Sequence, residues 1–193
     1  MIRVFSIIAF LLLSTTCVHA QPSTPPLSLS WGTTIAKTFR EIPGFQYYYG
    51  DIQWGEMIFT GSLFNLDAEV QIRFLYQKIT DATLILGPRG LGDFGCLTTY
   101  RNIVKLMVQK YGNPFLKKIQ ESEIKEELVY STICSPIRTG LHVIETHWNT
   151  KDFYIIASIF GDDVDIFIEV EYVYKPLRLD RKKHDTKKAL KHL

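Results

Sequence analysis

The chain is poor in cysteine and in long apolar runs, and it carries no excess of one charge. Each shortage removes a class of protein. Cysteine occurs three times in 193 residues, at positions 17, 96 and 134. No two are spaced Cys-x-x-Cys, which excludes the dithiol redox motif and the paired thiolates of small zinc modules. The longest apolar stretch, residues 4–13, is about half of the roughly twenty residues that span a bilayer. Lys and Arg number 22 against 20 Asp and Glu, a formal charge of +2, so no broad basic surface is on offer to nucleic acid. H-E-x-x-H, G-x-S-x-G and the EF-hand spacing are all missing, which removes the metalloprotease helix, the nucleophile elbow and the standard calcium loop.

What is present begins with an export signal. Arg3 supplies a positive n-region, residues 4–13 an apolar core, and Val18-His19-Ala20 a small-residue cleavage signal, so residues 1–20 read as a signal peptide. A lipid anchor at Cys17 is the rival, but Thr16 stands where such signals carry Gly, Ala or Ser. The expected location is periplasmic or secreted, with no transmembrane segment in the mature form. In an oxidising compartment a Cys96–Cys134 disulfide is the economical reading, and two buried thiols are the alternative. Charge is uneven along the mature chain: residues 175–193 hold eight Lys/Arg against two Asp/Glu, and residues 21–174 hold thirteen against eighteen. An acidic body therefore carries a basic tail.

One stretch organises the body. In residues 94–111 the apolar Leu97, Tyr100, Ile103, Val104, Met107, Val108 and Tyr111 recur at three and four positions, the stripe of an amphipathic helix. Asp93 is a candidate cap, and Gly112 with Pro114 ends the run. Residues 21–30 form a Pro/Ser-rich leader, and a short helix is predicted over 34–41 behind Thr33. Strands are predicted over 45–49 and 68–77, with a less regular extended stretch over 57–64 between them; Ala68, Val70, Ile72, Phe74 and Tyr76 alternate with Glu69, Gln71, Arg73, Leu75 and Gln77. Residues 78–81 then turn the chain into a strand over 82–86. After the helix, residues 116–127 read as either a weak helix or a solvated loop. Strands are predicted over 128–134, 141–148, 153–160 and 164–174. The tail, 177–193, is predicted to be disordered.

Short turns between consecutive strands require antiparallel pairing. The expected fold class is thus α+β: one domain over 31–176, an antiparallel sheet with the long helix packed across one face and a short N-terminal helix.

Several clusters could carry chemistry. Gly90-Leu91-Gly92-Asp93-Phe94-Gly95 matches G-x-G-x-x-G and opens a helix. The neighbouring strands call for antiparallel pairing, whereas the dinucleotide motif belongs to parallel βαβ units, so no cofactor is expected. Arg89 with the loop amides is a candidate anion holder. Glu145 and His147 share a strand face and are a candidate acid–base pair. His142 and His147, five strand positions apart, face opposite ways and cannot chelate one metal. Asp162, Asp163 and Asp165 gather at a turn, where a solvated acidic turn is the plainer reading than calcium, and no metal site is expected. Phe45, Tyr47, Tyr48, Tyr49, Trp54 and Phe59 crowd fifteen residues. Three consecutive tyrosines must put a ring on the outer face of a strand, so Tyr47, Tyr48, Tyr49 and Trp54 are candidate binding residues.

Trp31-Gly32 ahead of the first helix, Tyr111-Gly112-Asn113-Pro114 behind the second, and Trp148 in a late strand form a layout that resembles small exported bacterial proteins of unassigned function. The architecture is similar in outline to the outer-membrane assembly lipoprotein family and to β-lactamase-inhibitor-like domains. The anchoring cysteine of the first family is missing. The shared positions are structural, so the resemblance implies no catalytic residue and favours protein binding over catalysis.

The expected function is accordingly an exported, non-catalytic domain that binds a protein or envelope component. The aromatic strip and the basic tail are the expected contacts, the tail adding attraction to an anionic surface. Two alternatives stand beside it: a secreted hydrolase with a dispersed site near Glu145 and His147, and a small-molecule carrier with its ligand between helix and sheet.

Overall fold

The computed structural model describes residues 27, 29–32, 34, 42–87, 91, 95–119 and 130–190. Their element order is β1 (Phe45–Asp51), β2 (Glu56–Leu63), β3 (Leu66–Leu75), β4 (Lys78–Leu86), α1 (Cys96–Tyr111), β5 (Leu116–Ile119), α2 (Tyr130–Arg138), β6 (Ile144–Asn149), β7 (Phe153–Gly161), β8 (Ile166–Tyr174) and α3 (Lys175–Leu190). The eight strands form one sheet in the order β1-β2-β3-β4-β8-β7-β6-β5, and every pairing is antiparallel. The fold is therefore α+β, as expected, but dominated by sheet. Two four-strand blocks meet through their last strands, β4 and β8, and each block is followed by a helix.

Alternation decides which face of the sheet is dry. Val70 pairs with Leu84, Leu84 with Val170 and Val170 with Ala157, so these four side chains cross the sheet on one face. All four are buried. Ile72, Ala82, Tyr172 and Ile155 form the next such row. The opposite face carries Glu69, Gln71, Arg73, Thr83, Glu169, Glu171 and Ser158, polar and mostly half-buried. The period of two read from residues 68–74 and 166–172 is the physical cause.

Two hydrogen-bonded contacts tie α1 and its exit to the late strands. The Tyr100 hydroxyl lies 2.9 Å from Thr146 Oγ1 and donates to the Ala157 carbonyl at 3.1 Å, and burial pushes its pKa up to about 12. Trp148, 1 % exposed, donates its indole N–H to the Gly112 carbonyl at the helix exit. The helix begins at Cys96, with Gly95 in the left-handed region as its cap and no side-chain cap bond. Asp93, the expected cap, lies outside the described residues. Gly112 takes a positive φ of 81° and returns its amide to Val108, the exit the sequence predicts.

Several expectations change. The chain over 130–138 is helix, not the end of a strand over 128–134: Cys134 and Ile137, three apart, are both buried. A helical period wins over the β-branched composition, and Pro136 sits inside the helix at the loss of one backbone bond. The tail is ordered as well. Where disorder was predicted from 177 onward, α3 continues directly from β8. Pro176 stops the strand and, second in the helix, needs no amide donor there. The turn after β3 is Tyr76-Gln77, not 78–81. Tyr76 has φ 52° and Gln77 φ 61°, the two left-handed residues of a type I′ hairpin. Tyr76 thereby leaves the buried face and stands 76 % exposed. β6 starts at Ile144 rather than 141, so His142 precedes the strand. β8 starts at Ile166, and Val164 is exposed. Of the ambiguous 116–127 segment, Leu116–Ile119 pairs with β6 as an edge strand, and the rest is outside the described residues. So is the short helix predicted over 34–41, apart from Thr34, which bridges Lys78.

Candidate functional site

One opening bounded by described residues lies where the β1–β2 turn, the end of β3 and α3 meet. The chain between β1 and β2 folds tightly: Asp51 Oδ1 accepts the Gln53 amide at 2.6 Å, and Gly55 returns its amide to Ile52 at 3.2 Å. Gly55 in turn holds the Phe74 amide at 2.8 Å, which sets this turn against the end of β3. On the other side, Arg181 of α3 donates to the Phe74 carbonyl at 3.0 Å. Between these walls is a cleft of about 990 Å³, lined by Gln53, Trp54, Tyr76, Gln77, Lys183 and His184 above a floor that includes Ile52 and Phe74. Trp54 is 70 % exposed and leans on Tyr49, ring centroids 5.9 Å apart. Tyr76 meets the His184 ring edge-on at 6.2 Å. Large exposed rings that converge in one concavity mark a binding surface more strongly than scattered ones.

The candidate binding tyrosines lie on the neighbouring edge. Tyr47 is 37 %, Tyr48 70 % and Tyr49 57 % exposed. A bulge between Tyr47 and Tyr49 makes three successive rings available, since it breaks the alternation that would bury every second one. Tyr47 packs against Phe59 at 5.9 Å, and its hydroxyl donates to the Gly50 carbonyl. Of the tyrosines only Tyr49 reaches the Trp54 ring, so the strip is split between the cleft and the open edge. Arg89 lies outside the described residues, as does most of the glycine-rich loop.

A second cluster sits on the polar face of β6 and β7. His147 is 7 % exposed. Its Nε2 lies 3.0 Å from Glu145 Oε2 and its Nδ1 lies 2.8 Å from the Tyr154 hydroxyl. With Nε2–H donated to the carboxylate, Nδ1 accepts from Tyr154, which fixes one tautomer. Lys118 comes to 4.0 Å of the same carboxylate. Phe115 packs on both His147 and Tyr154, and Arg178 of α3 lies over the Tyr154 ring at 5.4 Å. The pair predicted from strand alternation is brought together. Tyr154 was missed, although the predicted turn at 149–152 already places it on the same face as His147.

The remaining candidates resolve otherwise. Cys96 and Cys134 stand at disulfide distance with Cα atoms 6.6 Å apart, tying α1 to α2 rather than to a strand. Asp162 accepts the amides of Val164 and Asp165 at 3.1 and 2.9 Å, bonds that hold its carboxyl below the usual range, so this carboxylate closes its own turn. Among the described residues no three His, Cys, Asp or Glu side chains are grouped as metal ligands, and no helix is long and apolar enough to cross a membrane. Between α1 and the sheet lies a smaller cavity of about 310 Å³, lined by Leu63, Phe64, Leu84, Leu106, Lys110 and Val170 among others.

The residues that sequence reasoning missed in the cleft are Tyr76, Gln77, Lys183 and His184. The signal for the first two was a polar pair at 76–77 between two β-rich runs; the signal for the last two was hidden by the weak apolar stripe of α3. No known family, curated protein or solved structure matches the chain.

Proposed function

We propose that this is an exported, non-catalytic binding domain whose ligand, a component of the cell envelope, sits in the cleft between the β1–β2 turn, the β3–β4 turn and α3. One observation carries the reading. The two surfaces singled out in the sequence as contacts, the aromatic strip and the basic tail, meet there: Trp54 comes from the strip, and Lys183 and His184 come from the tail. The tail residues are held on a helix, so their side chains face the ligand without a large ordering cost. In this reading α1 lies across the dry face of the sheet, supported by the Tyr100 and Trp148 bonds, and leaves the cleft end uncovered. The architectural resemblance to exported binding proteins points the same way.

Trp54 is its own reporter. Trp31 and Trp148 are 9 % and 1 % exposed, so iodide quenching of tryptophan fluorescence reads Trp54 almost alone. An envelope extract from the producing cells is expected to protect Trp54 from iodide, and Lys183→Glu is expected to weaken that protection and its salt dependence. Unchanged quenching in the presence of the extract would remove the cleft as the seat of binding.

The second reading, a secreted hydrolase, draws support from the hydrogen-bonded Glu145–His147–Tyr154 chain, whose histidine could pass a proton between carboxylate and phenol. It predicts that His147→Ala abolishes a hydrolytic activity that Trp54→Ala leaves intact.

A further inference from the structure

We infer that the cleft takes a saccharide, with a pyranose ring stacked on Trp54. The inference rests on the proposed seat of binding and names its ligand class. The cleft alternates flat apolar surfaces with hydrogen-bonding groups. Trp54 and Tyr76 are each followed or preceded by an amide side chain, Gln53 before Trp54 and Gln77 after Tyr76, and all four line the opening together with Asp180 and Lys183. A ligand that matches this pattern must carry apolar C–H faces and a rim of hydroxyls on one rigid ring. Sugars do: the face packs on an aromatic ring, and the vicinal hydroxyls pair with amide and carboxylate groups.

Other ligand classes fit less well. A peptide strand added to the sheet needs an unpaired strand edge; β1 is an edge strand, but the cleft lies off its end, at the turns joining β1 to β2 and β3 to β4. A phosphate-bearing ligand wants converging cations, and here Asp180 sits beside Lys183 on α3. An acyl chain wants a closed apolar wall, and the Gln53, Gln77, Asp180 and Lys183 groups interrupt it.

The β3–β4 turn gives an independent argument. Tyr76 and Gln77 both hold positive φ, a conformation that Asn-Gly fills with less strain. Tyr76 gains little burial in exchange, at 76 % exposure. Unfavourable backbone kept at an exposed ring is what a ligand contact explains, and the turn is what aims that ring into the cleft.

The test treats an envelope extract with periodate, which opens sugar rings that carry free vicinal diols; 1,4-linked acetamido sugars carry none within the chain and are read through their own hexamer. Iodide quenching of Trp54 in the full mature chain is read with extract, with periodate-treated extract, and with the hexamers of glucose and of N-acetylglucosamine as defined probes. The expected result is protection by untreated extract, together with a loss of at least tenfold in potency after periodate or measurable protection by the N-acetylglucosamine hexamer. Calorimetry on Trp54→Ala should show the hexamer affinity falling at least tenfold. The double change Tyr76→Asn with Gln77→Gly should raise the thermal midpoint while weakening binding, which separates a lost contact from a lost fold. Equal protection by treated and untreated extract, with no protection by either hexamer, would overturn the saccharide and keep the cleft as a binding site. No protection by either would overturn both.

Discussion

The Nε2 of His147 lies 3.0 Å from Oε2 of Glu145, two residues back on the same face of β6. The histidine is nearly buried and its other nitrogen is bonded to Tyr154, so three polar groups satisfy one another. Removing the middle one takes this partner from the Tyr154 hydroxyl and leaves Glu145 with Lys118 at 4.0 Å. His147→Ala is expected to cost about 1–3 kcal/mol, the range for stranding buried polar groups. Tyr154→Phe removes a single bond and should cost about 1 kcal/mol. Urea unfolding of both single variants and of the double variant checks this. The double should lose less than the sum, because the two changes break the same bond.

The link between Cys96 and Cys134 closes a span of 38 residues. In the chain-entropy account that is worth about 4 kcal/mol against the unfolded state. The pair of changes Cys96→Ala and Cys134→Ala, or reduction under native conditions, should therefore lower the guanidinium midpoint, with a steeper slope as the uncrosslinked denatured chain expands. The loss should fall first on α2, whose tie to α1 is this bridge and which is otherwise held by the buried Ile137 and by the Asp163–Arg138 backbone bond. Amide exchange in residues 134–138 is the local readout, and equal midpoints with and without reductant would sink the prediction.

Glu169 and Glu171 titrate against the sheet they sit on. Burial, then the Glu171 charge, raises the pKa of Glu169; burial, then Asp81, raises that of Glu171, with Arg73 opposing both. A raised pKa means that the folded chain holds these protons more tightly than the unfolded one. Stability from this pair is therefore fully present near and below the ordinary value of 4.5 and is lost as pH rises through the folded values. Glu171→Gln keeps the shape and removes the charge. It should raise the thermal midpoint at pH 7 by about 1–3 °C, roughly the effect of relieving one like-charge contact in a domain of this size. The gain should shrink towards pH 4.5. A gain that is constant with pH would show that the charge is not its cause.

The sheet was legible in the sequence because burial on one face prints a period of two, and residues 68–74 and 166–172 print it plainly. The helix over 96–111 was legible for the matching reason. Two elements were not. Residues 130–138 combine β-branched side chains with a proline, and only the burial of Cys134 and Ile137 by β7 and β8 makes them helical. Residues 175–190 have a weak apolar stripe and a charge pattern that suits solvent, yet Arg181 and Arg178 tie the helix to a backbone carbonyl and to an aromatic ring supplied by distant strands. Tertiary partners decide both, and local sequence does not contain them. The same holds for the cleft: Trp54 was visible as an exposed aromatic, but its companions come from a hairpin and a helix some twenty and one hundred and thirty residues away along the chain.

Gly161 is a position where the fold leaves no room for a Cβ. It closes β7, pairs with Ile166, and lies beneath the end of α2, where a Cβ would press on the carbonyl oxygens of both Ile137 and Arg138. Those atoms are backbone, so no side-chain rotation relieves the contact. The turn that follows is joined to the same place, since the Asp163 amide donates to the Arg138 carbonyl at 2.8 Å. Gly161→Ala must therefore lift α2 away from the sheet or bend the β7–β8 hairpin, and either exposes Ile137, which is fully buried. The expected cost is about 2–3 kcal/mol, or a fall of about 4–12 °C in the thermal midpoint. Gly95→Ala is the comparison. Nothing stands within 4 Å of a Cβ there, but its φ of 91° is left-handed, so only backbone strain of about 1–2 kcal/mol applies. If the two variants melt together, the close approach of α2 to β7 is not what requires glycine at 161.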